Sequence, residues 1–180
     1  MNGKPNANKN LASRPVVRFG SLETPIGSVF VAISNSGLFD VAFGVTNQVR
    51  YVARLGTRVE RALPDQRAVS GVLDQLDSYF SGNVTRFSIP LDLRVPTDFT
   101  YRVLRNASRI PFGRTMSYGE IAKRVDSPCA SRAVGGALGR NPLPIVIPCH
   151  RVIRGDGSIG GFTGGLDIKK HLLRLEGHLV

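Results

Sequence analysis

Residues 116–140 read MSYGEIAKRVDSPCASRAVGGALGR, and how this stretch folds decides the architecture of the chain. Ser117 and Glu120 stand at the spacing of a capping box, in which each side chain satisfies a backbone amide that the first helical turn leaves free. That predicts a short helix from about Tyr118 to Val125. Ser127 and Pro128 then offer an N-cap and a first-turn proline whose missing amide hydrogen costs nothing, predicting a second helix that runs to about Gly139. Two short helices joined by about three residues outline a helix-turn-helix, whose second helix meets DNA, although an ordinary helical hairpin has the same outline. Composition favours DNA. Ala130, Ala133, Gly135, Gly136, Ala137 and Gly139 make the second helix thin enough for close approach to something bulky, while Arg132 and Arg140 supply cations for phosphates or a base stack. Interior glycines cost about 1 kcal/mol each relative to alanine, a cost that a close partner or tight packing on a neighbouring element offsets.

Downstream, residues 141–166 read NPLPIVIPCHRVIRGDGSIGGFTGGL. Ile145, Val146 and Ile147 form a short buried run fenced by Pro142, Pro144 and Pro148, which predicts an extended, stiff approach to Cys149. A lone cysteine is most often a small buried hydrophobe. Here His150 and Arg151 follow at once, and a cationic setting lowers a thiol pKa from its ordinary value of about 8.5; a drop of roughly two units would make thiolate the majority form. Adjacent residues on an extended segment point to opposite sides, so Cys149 and His150 meet only through a water or a turn. An orienting carboxylate for His150 has to come from Asp156, Asp167 or Glu176. Glu176 ends KKHLLRLEG, where Leu172, Leu173 and Leu175 read as the packed face of a final helix. The glycine-rich run GDGSIGGFTGG fits neither a phosphate-binding loop nor a dinucleotide fingerprint. It reads instead as a loop walling a pocket, with backbone amides around Thr163 and the ring of Phe162 offered to a flat ligand.

Upstream, VVRFGSLETP, GSVFVAIS and GLFDVAFG alternate like strands, with a hairpin turn at Asn35-Ser36-Gly37, and predict a small antiparallel meander. Val69, Val72, Leu73, Leu76, Tyr79 and Phe80 recur at helical spacing before a stop at Gly82-Asn83, predicting a helix over one face of that sheet. RFSIPLDLRVP is an extended connection, and Phe99, Val103, Leu104 and Ala107 outline a further helix from about Asp98 to Arg109. The chain is therefore read as α+β: a disordered tail over 1–15, a small antiparallel sheet with a helix over 16–92, and a mostly helical unit with the helix-turn-helix over 93–180.

The formal net charge is +11, and residues 93–180 carry 14 basic against 6 acidic side chains, so the second half is the expected face for a polyanion. Two cysteines are too few for a disulfide framework, and His150, His171 and His178 complete no zinc spacing with them. The expectation is a cytoplasmic protein with no metal, no cofactor and no membrane span.

SYGEIA, SRAVGGALGRNPLPIVIPCHRVI and GGFTGGLDIKKHLLRLEG together resemble the O6-alkylguanine-DNA alkyltransferases over about residues 97–177. The resemblance implies a DNA repair enzyme that flips O6-alkylated guanine out of the duplex and transfers the alkyl group irreversibly to its own cysteine. It implies Cys149 as acceptor, His150 as base through a water, Glu176 as the acid that orients His150, and Asn141 as the residue organising the turn beside the cysteine. It also implies minor-groove binding by the helix-turn-helix, with Arg132 taking the place of the extruded nucleotide, Tyr118 helping to rotate a phosphate, and Ala133, Gly135, Gly136 and Arg140 on the DNA face. The carbonyl of Val152 and the loop Phe162, Thr163 and Gly164 would read the guanine, in a protein acting as a monomer whose cooperativity on DNA is open. Where Phe162 and Thr163 stand the family often has tyrosine and serine, so one hydroxyl is lost and one is kept. A lesion-recognition protein without transfer lacks the cysteine, which is intact here. A helix-turn-helix regulator with an incidental cysteine and a cysteine hydrolase are the other readings.

Overall fold

The computed structural model describes residues 13–179. The first twelve residues of the expected tail lie outside that range, while Ser13 O accepts from Arg94 Nη1 and Pro15 O from the Glu60 amide. Strands β1 (Val16–Thr24), β2 (Gly27–Ser34) and β3 (Gly37–Phe43) form the expected antiparallel meander. A fourth strand, β4 (Arg61–Pro64), pairs in parallel with β1, giving the order β3-β2-β1-β4.

Alternation along β2 sends Val29 and Val31 into the main core and Phe30 and Ala32 into a second cluster on the opposite face. A register shift at Ala32/Ile33 leaves Phe39 without a partner, and both Leu38 and Val41 face the main core despite lying three residues apart. The second cluster is closed by α1 (Gln48–Leu55), which Asn47 caps by accepting from the Arg50 amide (3.0 Å) and which inserts Tyr51 and Leu55. The other face receives α2 (Ser70–Phe80) and, in the same core, Val103, Leu104, Ile121 and Leu172 from the second half of the chain. The two halves thus share one apolar core, and α2 faces the residues that carry the chemistry.

In the second half, α3 (Asp98–Ala107), α4 (Tyr118–Arg124) and α5 (Ser131–Gly139) pack on one another, with α6 (Leu166–Leu175) closing the chain. The capping box at α4 is formed as expected: Ser117 Oγ accepts from the Glu120 amide (3.1 Å) and Glu120 Oε2 from the Ser117 amide (2.7 Å). Helix α5 starts later than predicted. Residues 127–130 close a turn, with the Ala130 amide donating to Ser127 O (2.9 Å), and Ser127 Oγ donates to Val125 O instead of capping. The connection between the helices therefore spans residues 125–130, and Asp126 turns it in the left-handed region at φ 56°. Two-residue strands β5 (Met116–Ser117) and β6 (Val152–Ile153) pair in parallel and tie the start of α4 to the segment after Cys149.

Candidate active site

The approach to Cys149 is a tight turn, not the expected extended run. Ile145 sits at φ 73°, an unfavourable conformation for a β-branched residue, and the Ile147 amide donates back to Leu143 O (2.8 Å). Asn141 braces this turn from inside. Its Nδ2 donates to Ile147 O (2.8 Å) and to Cys149 Sγ (3.2 Å), and its Oδ1 accepts from the Leu143 amide (3.0 Å). One side chain thus fixes both the turn and the sulfur.

Cys149–Arg151 then form a single 3-10 turn. This turn carries Arg151 away from the sulfur to Glu176, where Nε donates to Oε2 (2.8 Å) and Nη2 to Oε1 (2.9 Å). The cation near the thiol is instead Lys169, fully buried on α6, whose Nζ donates to Val152 O (2.6 Å) and Gly161 O (3.4 Å). Cys149 itself is 8% exposed, and burial pushes its pKa up despite the opposing influence of the Asn141 amide and Lys169. The resting cysteine is therefore a thiol, which corrects the expectation of a majority thiolate: desolvation outweighs the cationic setting.

His150 is fully buried, and that burial holds its imidazole below the ordinary value despite Glu176, so it is neutral at pH 7. Its Nε2 lies 2.9 Å from Glu176 Oε1. An ionised carboxylate only accepts, so Nε2 carries the proton and Nδ1 is left as a basic nitrogen; Nδ1 is buried and has no hydrogen-bond partner among the described residues. Glu176 is buried too, not a surface acid. Burial pushes its carboxyl up, yet the hydrogen bonds from His150 and Arg151 outweigh this and hold it at about 2.

Above the sulfur opens a cavity of about 560 Å³, bounded by Tyr118, Arg132, Gly135, Phe162 and Thr163. That is the size of a small-molecule pocket, roughly 300–1,000 Å³. The Tyr118 ring passes against Gly135 and Gly160, where even a methyl group would touch it, and its Oη donates to Gly161 O (3.3 Å). Part of the small-residue character of α5 therefore serves the packing of Tyr118. On α5, Val134, Ala137 and Leu138 are buried, whereas Arg132, Ala133, Gly136 and Arg140 form an exposed, thin and cationic stripe.

Besides the bonds that Gly161 O accepts from Tyr118 and Lys169, the loop after β6 is fastened further along. Thr163 Oγ1 donates to Gly139 O (3.1 Å), Phe162 stacks on Phe43 at 5.8 Å, and Gly164 lies so close to the Phe43 ring that a Cβ would overlap it. Val152 O, expected to read the ligand, is already engaged by Lys169 and retains one lone pair. Sequence reasoning missed Lys169, Tyr79 and Phe43 as neighbours of the site. Lys169 left a signal, since it stands three and four residues before Leu172 and Leu173 and so on the packed face of α6; Phe43 left none.

Two family models cover the chain: "6-O-methylguanine DNA methyltransferase, ribonuclease-like domain" matches residues 17–93, and "6-O-methylguanine DNA methyltransferase, DNA binding domain" matches residues 98–178. The methylated-DNA-protein-cysteine methyltransferase of Mycobacterium tuberculosis is 41% identical over 161 residues, covering 89% of this chain and 93% of the relative. That of Mycobacterium leprae is 43% identical over 160 residues, covering 89% and 92%. The crystal structure of Mycobacterium tuberculosis OGT in complex with DNA superposes with a TM-score of 0.78 at 41% identity, covering 89% of this chain and 92% of that one. With a cysteine held at the floor of a pocket beside a thin cationic helix, the chain belongs to the 6-O-methylguanine DNA methyltransferase family, DNA-repair enzymes whose acceptor is a protein cysteine.

Proposed function

We propose that the protein rotates an O6-alkylated guanine out of duplex DNA and transfers the alkyl group to Cys149 Sγ in one irreversible turnover. The observation that carries this reading is the buried thiol at the pocket floor beside a neutral imidazole pinned by Glu176. A water passes the Cys149 proton to His150 Nδ1, and the resulting imidazolium is stabilised by Glu176. The thiolate attacks the alkyl carbon in line, the S–C bond forms as the C–O6 bond breaks, and the electron pair leaves with guanine, which takes up a proton. The thioether is a poor leaving group, so the acceptor is consumed.

An alkyl group on guanine O6 lies inside the base stack, so in-line attack requires an extruded nucleotide, at a cost of a few kcal/mol. In this reading α5 enters the minor groove with Ala133, Gly135 and Gly136 against the backbone, Arg140 on a phosphate and Arg132 in the space the nucleotide vacates. Tyr118 helps to turn the flanking phosphate. Phe162 stacks on the base, while Val152 O and the Thr163-Gly164 backbone address its edge. The protein acts as a monomer in the cytoplasm, where the thiol stays reduced and DNA is accessible.

The test is intact-protein mass after incubation with duplex DNA carrying one O6-methylguanine. The expected result is a gain of one methylene, mapped to Cys149, absent with unmodified duplex and absent in Cys149→Ser, which still binds the lesion. Tight lesion binding without a mass gain in the wild type overturns the transfer reading.

A further inference from the structure

Tyr79 belongs to α2, in the half of the chain remote in sequence from the chemistry, yet its Oη donates to Glu176 Oε1 at 2.7 Å. The side chain is fully buried and locked by ring contacts with Phe80 (5.4 Å), Phe87 (5.5 Å) and Phe112 (6.2 Å). Glu176 Oε1 thereby receives three donors, His150 Nε2, Tyr79 Oη and Arg151 Nη2, while Oε2 receives Arg151 Nε and, at 3.4 Å, the Gly113 amide. A carboxylate has about four acceptor sites, so His150 and Tyr79 share the charge of one oxygen.

We infer that Tyr79 is a positioning residue that sets the strength of the His150 base: by drawing on Glu176 Oε1 it limits how strongly the carboxylate stabilises the imidazolium, keeping His150 neutral and ready to accept a proton. This rests on the reading of His150 as the base. The other ionisable groups around the pair are Arg151 on the same turn, Lys169 from α6 and the Cys149 thiol, and all remain when the phenol oxygen is removed. Burial keeps Tyr79 far above its ordinary pKa, so it remains a donor throughout the working range. The first half of the chain thus reaches the acid-base centre through one hydroxyl.

The experiment is the single-turnover rate of methyl transfer from O6-methylguanine duplex against pH, in wild type, Tyr79→Phe and His150→Ala, together with the imidazole titration of His150 by NMR in the first two. In Tyr79→Phe, Glu176 has one donor fewer and binds the imidazolium more tightly. The His150 titration and the acidic limb of the rate profile then both move up by about half to one pH unit, a three- to tenfold loss on the acidic limb below the wild-type midpoint with little change on the plateau. A uniform loss of rate at all pH values, or an unmoved limb with an unmoved His150 titration, overturns the role of Tyr79 and leaves His150 as base. An acidic limb that persists unchanged in His150→Ala removes the base itself, and the inference with it.

Discussion

Replacing Glu176 by glutamine tests the buried charge network most directly. Arg151 bonds both carboxylate oxygens, Nη2 to Oε1 and Nε to Oε2, and a guanidinium cannot accept a hydrogen bond. Tyr79 can rotate its hydroxyl and His150 can exchange tautomers, but whichever way the new side-chain amide is turned, its NH₂ group confronts an Arg151 N–H. The variant therefore leaves a guanidinium that is only 5% exposed without its counter-charge and with one donor facing another. Breaking one side of a buried ion pair costs about 3–5 kcal/mol. In a chain of this size, that lowers the melting temperature by roughly 6–20 °C. Urea unfolding at pH 7 measures the first quantity and a thermal scan the second. The pH dependence of the carboxyl's own contribution has a fixed sign. The Glu176 carboxyl is held at about 2 in the folded chain, against an unfolded value of about 4.3. Its contribution is complete above the unfolded value and is lost as pH falls through the folded one. Through the carboxyl itself the gap between wild type and Glu176→Gln closes between about pH 4.3 and 2; at higher pH, protonation of His150, which the Glu176 carboxylate favours, widens it first. A gap below about 1 kcal/mol at pH 7, or one that fails to close below about pH 4.3, refutes the reasoning.

Two further outcomes are expected. Asn141→Ala removes the donors to Ile147 O and Cys149 Sγ and the acceptor for the Leu143 amide, costing about 1–3 kcal/mol in urea and slowing methyl transfer, since the developing thiolate loses a hydrogen bond; unchanged stability counts against the bracing role. Arg132→Ala removes an exposed side chain at the pocket rim, so stability should stay within about 0.5 kcal/mol of wild type. Transfer from duplex should slow by about tenfold or more with reaction on free O6-alkylguanine base unaltered; equal losses on both substrates contradict insertion into the duplex.

The sequence by itself determined the features written in local periodicity and capping. The meander of β1–β3, helix α2 and the capped start of α4 follow from alternation, helical spacing and the Ser117–Glu120 pair, each of which acts within a few residues. The family, too, was legible, because SRAVGGALGRNPLPIVIPCHRVI is a long and specific string. Helix α1 escaped notice because only Tyr51 and Leu55 are buried on it, while Val49 and Val52 face outward and blur the pattern. Strand β4 escaped because it is four residues long and pairs in parallel with a strand 45 positions earlier, a choice that no local signal encodes. Tertiary structure alone decided the state of the site. Arg151 lies close to Cys149 in sequence, yet the 3-10 turn delivers it to Glu176; Lys169, twenty residues on, takes its place near the sulfur. The ionisation of Cys149, His150 and Glu176 follows from burial and from the partners that folding gathers, Tyr79 among them, and neither is a property of neighbouring letters.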